Sequence, residues 1–339
     1  MPPLELTRAQ VLAFRRRVGA LDERLPRGAR SLRQAAWAGL QDSMPRAALL
    51  SIHARVAGAH PSSWEEKSLV QVWGPRFSAY VVPARDHAFF TLARLPDDER
   101  GRRRAEDMAA RIDGFLQGRR ATVNEVAAGL GVHNAVRYAT ATGTVLIRWE
   151  GALTPLIWTV PRPQIEPLDA RRELARRYLR VYGPTTAAAF AVWAGIGDGA
   201  GRATFESLSR ELAAVRTPIG EARILACDEP VIRGPAGPAA PARLLPSGDA
   251  HYLLQGADRE LLVPEAGRRG ELWTSRVWPG AVLVAGEIAG TWRRAHADVS
   301  IRPWRKLTRA ERAAVEAEAE SLPLPGLEAK QVAVRWDVA

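Results

Sequence analysis

The chain has 339 residues, 47% of them hydrophobic and 25% charged, a soluble globular composition that excludes disorder, and its net charge of +11 points to a polyanionic partner. A single cysteine, Cys227, excludes a disulfide framework and a multi-cysteine zinc site, and the six histidines form no HExxH-type pair. No apolar run reaches the ~18 residues of a membrane span and the first residues lack the features of a signal peptide, so a cytoplasmic protein with no membrane partner, no metal and no cofactor is expected.

Only Lys67, Lys306 and Lys330 are lysines, so nearly all the positive charge is arginine. Arginine-rich composition is also what the base composition of a source genome can impose; whatever its origin, a guanidinium forks bidentately onto phosphate. Cys227 is expected to be a buried thiol, the commonest fate of a lone cysteine.

In chain order, residues 6–18 carry Leu6, Val11, Phe14 and Val18 at near-helical spacing, with Thr7 as a cap. A second helix is expected over 32–42 and a third from Pro45 through 58, since proline is favourable at a helix start. Residues 69–83, rich in Val, Tyr, Phe and Trp and broken at Gly74-Pro75, read as a hairpin. The same order returns: a helix over 107–119, a Thr122/Glu125 capping box heading 123–130, a helix over 132–143, then two strands, 144–151 and 153–160. A third, weaker round runs from 172 to 227, with the Gly-rich stretch 195–201 as a flexible turn between helices. Gly and Pro concentrate after it, and the remainder is short, alternating and turn-bounded before a closing helix over 308–322.

The expected fold is therefore α+β: three tandem winged-helix modules, helix-turn-helix units with a β-hairpin wing, over 1–98, 99–167 and 168–230. A linker over 231–241 leads to a small β-rich, barrel-like domain over 242–339. The repeat rests on the order of elements, not on matched letters.

Candidate DNA contacts follow from that outline. His133, Asn134, Arg137 and Tyr138 fall on the third helix of the second module, and Arg148 and Trp149 on its wing, the positions that reach bases or phosphates. Basic runs add Arg102, Arg103 and Arg104, then Arg119 and Arg120, then Arg171, Arg172, Arg176, Arg177 and Arg180 near i, i+4 spacing. Each admits a plainer reading, as core aromatic or solvated charge. No phosphate loop, nucleophile elbow or dinucleotide fingerprint is present.

The segments LQDSMPRAALLSIHARV, ARRYLRVYGPTTAAAFAVWAGIG and VAGEIAGTWRR, in this order over nearly the whole chain, resemble the bacterial winged-helix family that includes the AlkZ and AlkX (YcaQ) DNA glycosylases. The resemblance implies three tandem winged helices, a barrel-like domain and a concave channel for duplex DNA. It also implies excision of alkylated bases by a Gln-aliphatic-Gln or Gln-aliphatic-Asp motif. Gln41 matches the first glutamine; Asp42 stands at the aliphatic position and Ser43 at the last.

A base alkylated on a ring nitrogen is cationic and leaves readily, so the protein need only orient a water at C1′ and stabilise an oxocarbenium-like charge. Gln41 can accept a hydrogen bond from that water and Asp42 can serve as base. The alternative is that Asp42 or Ser43 caps the following helix. The expectation is a monomeric double-stranded-DNA-binding protein, as a monofunctional glycosylase of alkylated purines or, alternatively, as a non-catalytic regulator or chromosome-associated factor.

Overall fold

The computed structural model describes residues 3–44, 46–132, 135–150, 153–237, 240–327 and 331–337. The N-terminal third holds β1 (Leu4–Glu5), α1 (Arg8–Val18), α2 (Ala29–Ala35), β2 (Leu40–Gln41), α3 (Ala47–Arg55), β3 (Leu69–Trp73), β4 (Ala79–Pro83) and α4 (His87–Thr91). α5 (Glu99–Leu116), β5 (Ala121–Thr122), α6 (Val123–Leu130), β6 (Val145–Arg148) and β7 (Leu156–Thr159) follow. Next come α7 (Pro167–Tyr182), α8 (Ala187–Ala194), α9 (Asp198–Ser207), β8 (Leu212–Thr217), β9 (Gly220–Leu225) and α10 (Glu229–Arg233). The C-terminal part has β10 (Arg243–Leu245), α11 (Asp258–Leu262), α12 (Ala266–Leu272), β11 (Gly280–Val284), β12 (Glu287–Ala295), β13 (Asp298–Pro303), α13 (Arg309–Glu320) and β14 (Ala333–Trp336).

The architecture is mixed α+β. Among the described residues the strands form three sheets, ordered β2-β4-β3-β6-β7-β5, β1-β8-β9 and β10-β11-β12-β13-β14. The last is open, with β10 and β14 at its edges, so the expected barrel-like C-terminal domain is instead an open sheet; its Val282, Val299 and Ile301 pack against Val315 and Ala319 of α13. The first two expected modules share one sheet, because β3 pairs with β6 at Gln71 and Ile147. The chain start pairs in parallel with β8, Leu4 opposite Val215.

Local chemistry explains several helix starts. Thr7/Gln10, Thr122/Glu125 and Thr308/Glu311 form reciprocal capping boxes, each occupying two otherwise orphaned backbone donors. The expected helix over 132–143 is a 3-10 helix over Val136–Thr142. Thr140 and Thr142 donate their hydroxyls to the carbonyls of Arg137 and Ala139, three residues back, and Gly143 closes the run at φ +77°. The glycines of 195–201 are not all turn: Gly199 and Gly201 lie within α9.

The expected helix over 32–42 also ends early, at Ala35. Gly39 takes φ +82°, and a Cβ there would lie 2.7 Å from the Phe90 ring and 3.0 Å from that of Tyr80, so only glycine turns the chain into β2 at this place. β2 then pairs with β4, Leu40 opposite Val81 and Gln41 opposite Tyr80. The largest core stacks Tyr178 on Tyr182 at 4.7 Å, with Trp193 tilted against Tyr178 at 4.9 Å.

Cys227 is exposed rather than buried. The inward position of its turn belongs to Asp228, fully buried and ion-paired with Arg180.

Candidate active site and nucleic-acid interface

Gln41, Asp42 and Ser43 have three different surroundings. Asp42 is 3% exposed. Its Oδ1 accepts the Ala48 N–H of α3 at 3.0 Å and its Oδ2 the Gln71 side-chain amide at 2.6 Å, while the Arg46 guanidinium stands 4.0 Å away. Gln71 is held in turn, its Oε1 accepting the Trp149 N–H at 2.7 Å. Burial raises the Asp42 carboxyl to about 6, against the pull of the Ala48 hydrogen bond and of Arg46. A carboxylate with both oxygens engaged and no access to solvent is a cap and a tie between β3 and α3.

Gln41 is only partly buried. Its Nε2 donates to Ser43 Oγ at 3.1 Å, which fixes the amide; its Oε1 is buried and has no hydrogen-bond partner within the protein. Ser43 thus orients Gln41 and does not cap α3. The carboxamide lies against Gly248, where φ is +77° and a Cβ would meet Gln41 at 3.2–3.5 Å. Asp249, next in the chain, accepts from Ser51 Oγ at 2.7 Å and from both Arg55 nitrogens at 2.6 and 2.8 Å. α3 therefore clamps a C-terminal loop onto the side chain of Gln41. Arg55 holds the Asp249 carboxyl below the usual range against full burial. His251, beside it, is buried with neither ring nitrogen bonded, and burial pushes it down to about 3.

The sequence-derived contact residues divide by what their guanidiniums already hold. Arg171 is 3% exposed and spends its donors on the carbonyls of Ala93 and Leu95 and on Asp97, so the expectation of a phosphate contact there is corrected to a buried tie between α7 and the segment after α4. Arg172 is paired with Asp169, Arg176 with Glu211 and Arg103 with Glu99. Arg148 pairs with Glu65 and Glu150 and lies 3.6 Å over Trp64, whose ring Arg46 also covers at 3.8 Å. Among the described residues Arg102, Arg119, Arg120 and Arg137 are exposed and form no ion pair, Arg119 lying near enough to Glu125 to help lower its carboxyl and Arg120 resting over Trp158 at 4.6 Å. His133 and Asn134 lie outside the described residues.

Around Arg137 the structure gathers residues that are scattered in sequence. Phe77 meets Tyr138 edge-on at 5.4 Å, Arg94 covers Phe77 at 4.1 Å and Arg104 covers Tyr138 at 4.8 Å. Arg94 is buried with its Nε unbonded, and burial lowers it to about 10. Arg76 and Phe77, at the tip between β3 and β4, both take left-handed φ of 54° and 56°. Guanidiniums that form no ion pair among the described residues, interleaved with aromatic rings, suit nucleic acid.

The model of the family described as DNA glycosylase AlkZ-like matches residues 32–323. The chain belongs to the AlkZ-like DNA glycosylase family. Its fold is similar to that of Streptomyces sahachiroi DNA glycosylase AlkZ, with a TM-score of 0.79 at 18% identity, over 98% of this chain and 100% of that one. A comparison with curated protein sequences gives no match. Among the described residues of this AlkZ-like chain, no group of three His, Cys, Asp or Glu stands where it would hold a metal, and no helix is long and apolar enough to cross a membrane.

Three residues around the Gln41 candidate site went unread in the sequence: Gln71, Gly248 and Asp249. Gln71 carried a signal, a polar side chain at the centre of the apolar run LVQVW. Gly248 and Asp249 carried none, since their importance depends on a contact across some 200 residues.

Proposed function

We propose that the chain is a monofunctional DNA glycosylase that hydrolyses the N-glycosidic bond of alkylated purines in duplex DNA. The observation that carries this reading is the Gln41 carboxamide, fixed through Ser43 and Gly248 with its oxygen unspent, in a chain of the AlkZ-like family. That oxygen, out of contact with solvent in the free chain, accepts a hydrogen bond from the attacking water in the DNA complex and orients it at C1′. The water adds to the sugar as the C1′–N bond breaks; the bond's electrons neutralise the cationic base, and the water's second proton passes to solvent. Because the leaving group arrives charged, no general acid is needed, and a weak acceptor suffices in place of a strong base. Asp42 keeps α3, β2 and β3 in register around Gln41.

The rounds of helices and hairpin over 1–98, 99–167 and 168–230 are read as winged-helix units that hold the duplex. Arg102, Arg119, Arg120 and Arg137 are read as its phosphate contacts.

Base release from duplexes containing 7-methylguanine, 3-methyladenine or a nitrogen-mustard adduct tests the proposal. Wild type releases the base, and Gln41→Ala, which removes the positioned acceptor, slows release by roughly 10²-fold with duplex affinity within about twofold of wild type. Tight binding without release from any of the three leaves the alternative, a non-catalytic DNA-binding protein. The short Ser43 at the motif's last position is the feature that favours it.

A further inference from the structure

A cavity of about 560 Å³ lies on the other side of β2, bounded by the end of α1, by α2, by the end of α7 and by residues 83–86. Gly39 and Leu40 form part of its wall; Gln41 does not. Its size falls within the ~300–1,000 Å³ of small-molecule sites. Arg30, Arg33, Arg55, Arg85 and Arg180 all line it.

These cations are not equally spent. Arg55 is bound by Asp249 and Arg180 by Asp228. Arg85 stands 3.6 Å from Asp86, a carboxylate that Arg177 already holds at 3.1 Å. Among the described residues Arg30, exposed at the rim, and half-buried Arg33 have neither ion pair nor hydrogen bond, although both line this recess. Asp86 also lines it, its charge answered by Arg85 and Arg177, as does Gln34; the rest of the wall is apolar, with Val18, Leu25, Pro83 and Val181, and half-buried Trp37 adds an indole steadied by Arg177 at 4.9 Å from its ring. Two free guanidinium forks beside an aromatic and aliphatic wall match a planar body that carries a phosphate.

We propose that this cavity binds a nucleotide, its phosphate on Arg30 and Arg33 and its base against Trp37. The occupant reaches the backbone of residues 39–40, one residue from the Gln41 carboxamide. The nucleotide is either a free mononucleotide or one belonging to the DNA strand. The proposal does not depend on base excision, and its readout is binding alone, so it stands or falls separately from the glycosylase reading.

Calorimetric titration with deoxyguanosine 5′-monophosphate, deoxyguanosine and inorganic phosphate tests it, alongside duplex binding by fluorescence anisotropy. Arg30→Gln/Arg33→Gln is the charge-removing variant and Trp37→Leu the wall variant; the two arginines hold no internal contact whose loss would unfold the chain. The monophosphate binding at least tenfold tighter than either fragment, with each variant weakening it at least tenfold and duplex affinity unchanged, identifies a free nucleotide. Duplex affinity falling at least tenfold in both variants, without monophosphate binding, identifies a nucleotide of the DNA. Monophosphate and duplex affinities that are both the same in wild type and in the double variant overturn the proposal.

Discussion

At the scale of residues, three adjacent polar side chains do three jobs because β2 and the turn after it send them in different directions. Asp42 is the instructive one. Its carboxyl is raised from 3.8 to about 6 by burial, so the folded state holds its proton more tightly than the unfolded chain. Between about pH 4 and pH 6 the unfolded chain ionises first, and Asp42 destabilises the fold progressively by up to about 3 kcal/mol, a penalty absent below pH 4. Asp42→Asn removes that titration but sets an amide donor against the Gln71 donor, which cannot turn over because its oxygen holds Trp149. The variant is therefore less stable than wild type at pH 4 by about 1–3 kcal/mol, and the gap narrows as pH rises to 7. Urea unfolding of both proteins across this range checks it; a gap independent of pH would show that the carboxyl is not raised.

At the scale of elements, what was legible in the sequence was what is local. The Thr7 cap, the Thr122/Glu125 box, the hairpin of β3 and β4 and the long helices α5 and α7 are each set by residues within a few positions of one another. The two-residue strand β2 was not legible, since its existence depends on β4 some 40 residues away and on the left-handed turn at Gly39. Nor was the 3-10 geometry of Val136–Thr142, whose threonine hydroxyls compete with the helical backbone pattern. The Gln41 motif was thus visible as letters, while its strand setting was not. Gly39→Ala tests that setting. Strain at a positive φ plus overlap with Phe90 and Tyr80 costs roughly 2–4 kcal/mol, read as a lowered urea midpoint. Because β2 is displaced, Gln41-dependent base release falls by a larger factor than the folded fraction does.

At the scale of the whole molecule, contacts cross the expected module boundaries: a sheet shared by β3 and β6, β1 of the chain start on β8, and α3 clamping the Gly248 loop through Arg55 and Asp249. One consequence concerns charge. A net +11 says that polyanions are attracted but not where, and ion pairing decides which arginines remain available to phosphate. Arg172 and Arg176 are engaged by Asp169 and Glu211, whereas Arg104, Arg120 and Arg137 are exposed without an acid partner. Each arginine that displaces a condensed counterion from duplex DNA adds about 0.9 to the slope of log affinity against log salt. Substituting Arg104, Arg120 and Arg137 by alanine together should therefore lower the magnitude of that slope by roughly 2–3 and weaken binding evenly across duplex sequences. Substituting Arg172 and Arg176 should leave it within about 0.5, because their charge is already answered within the protein. Fluorescence anisotropy over 50–200 mM salt distinguishes the two sets. Equal changes from both would mean that DNA is held by overall charge and not by the unpaired arginines around Tyr138.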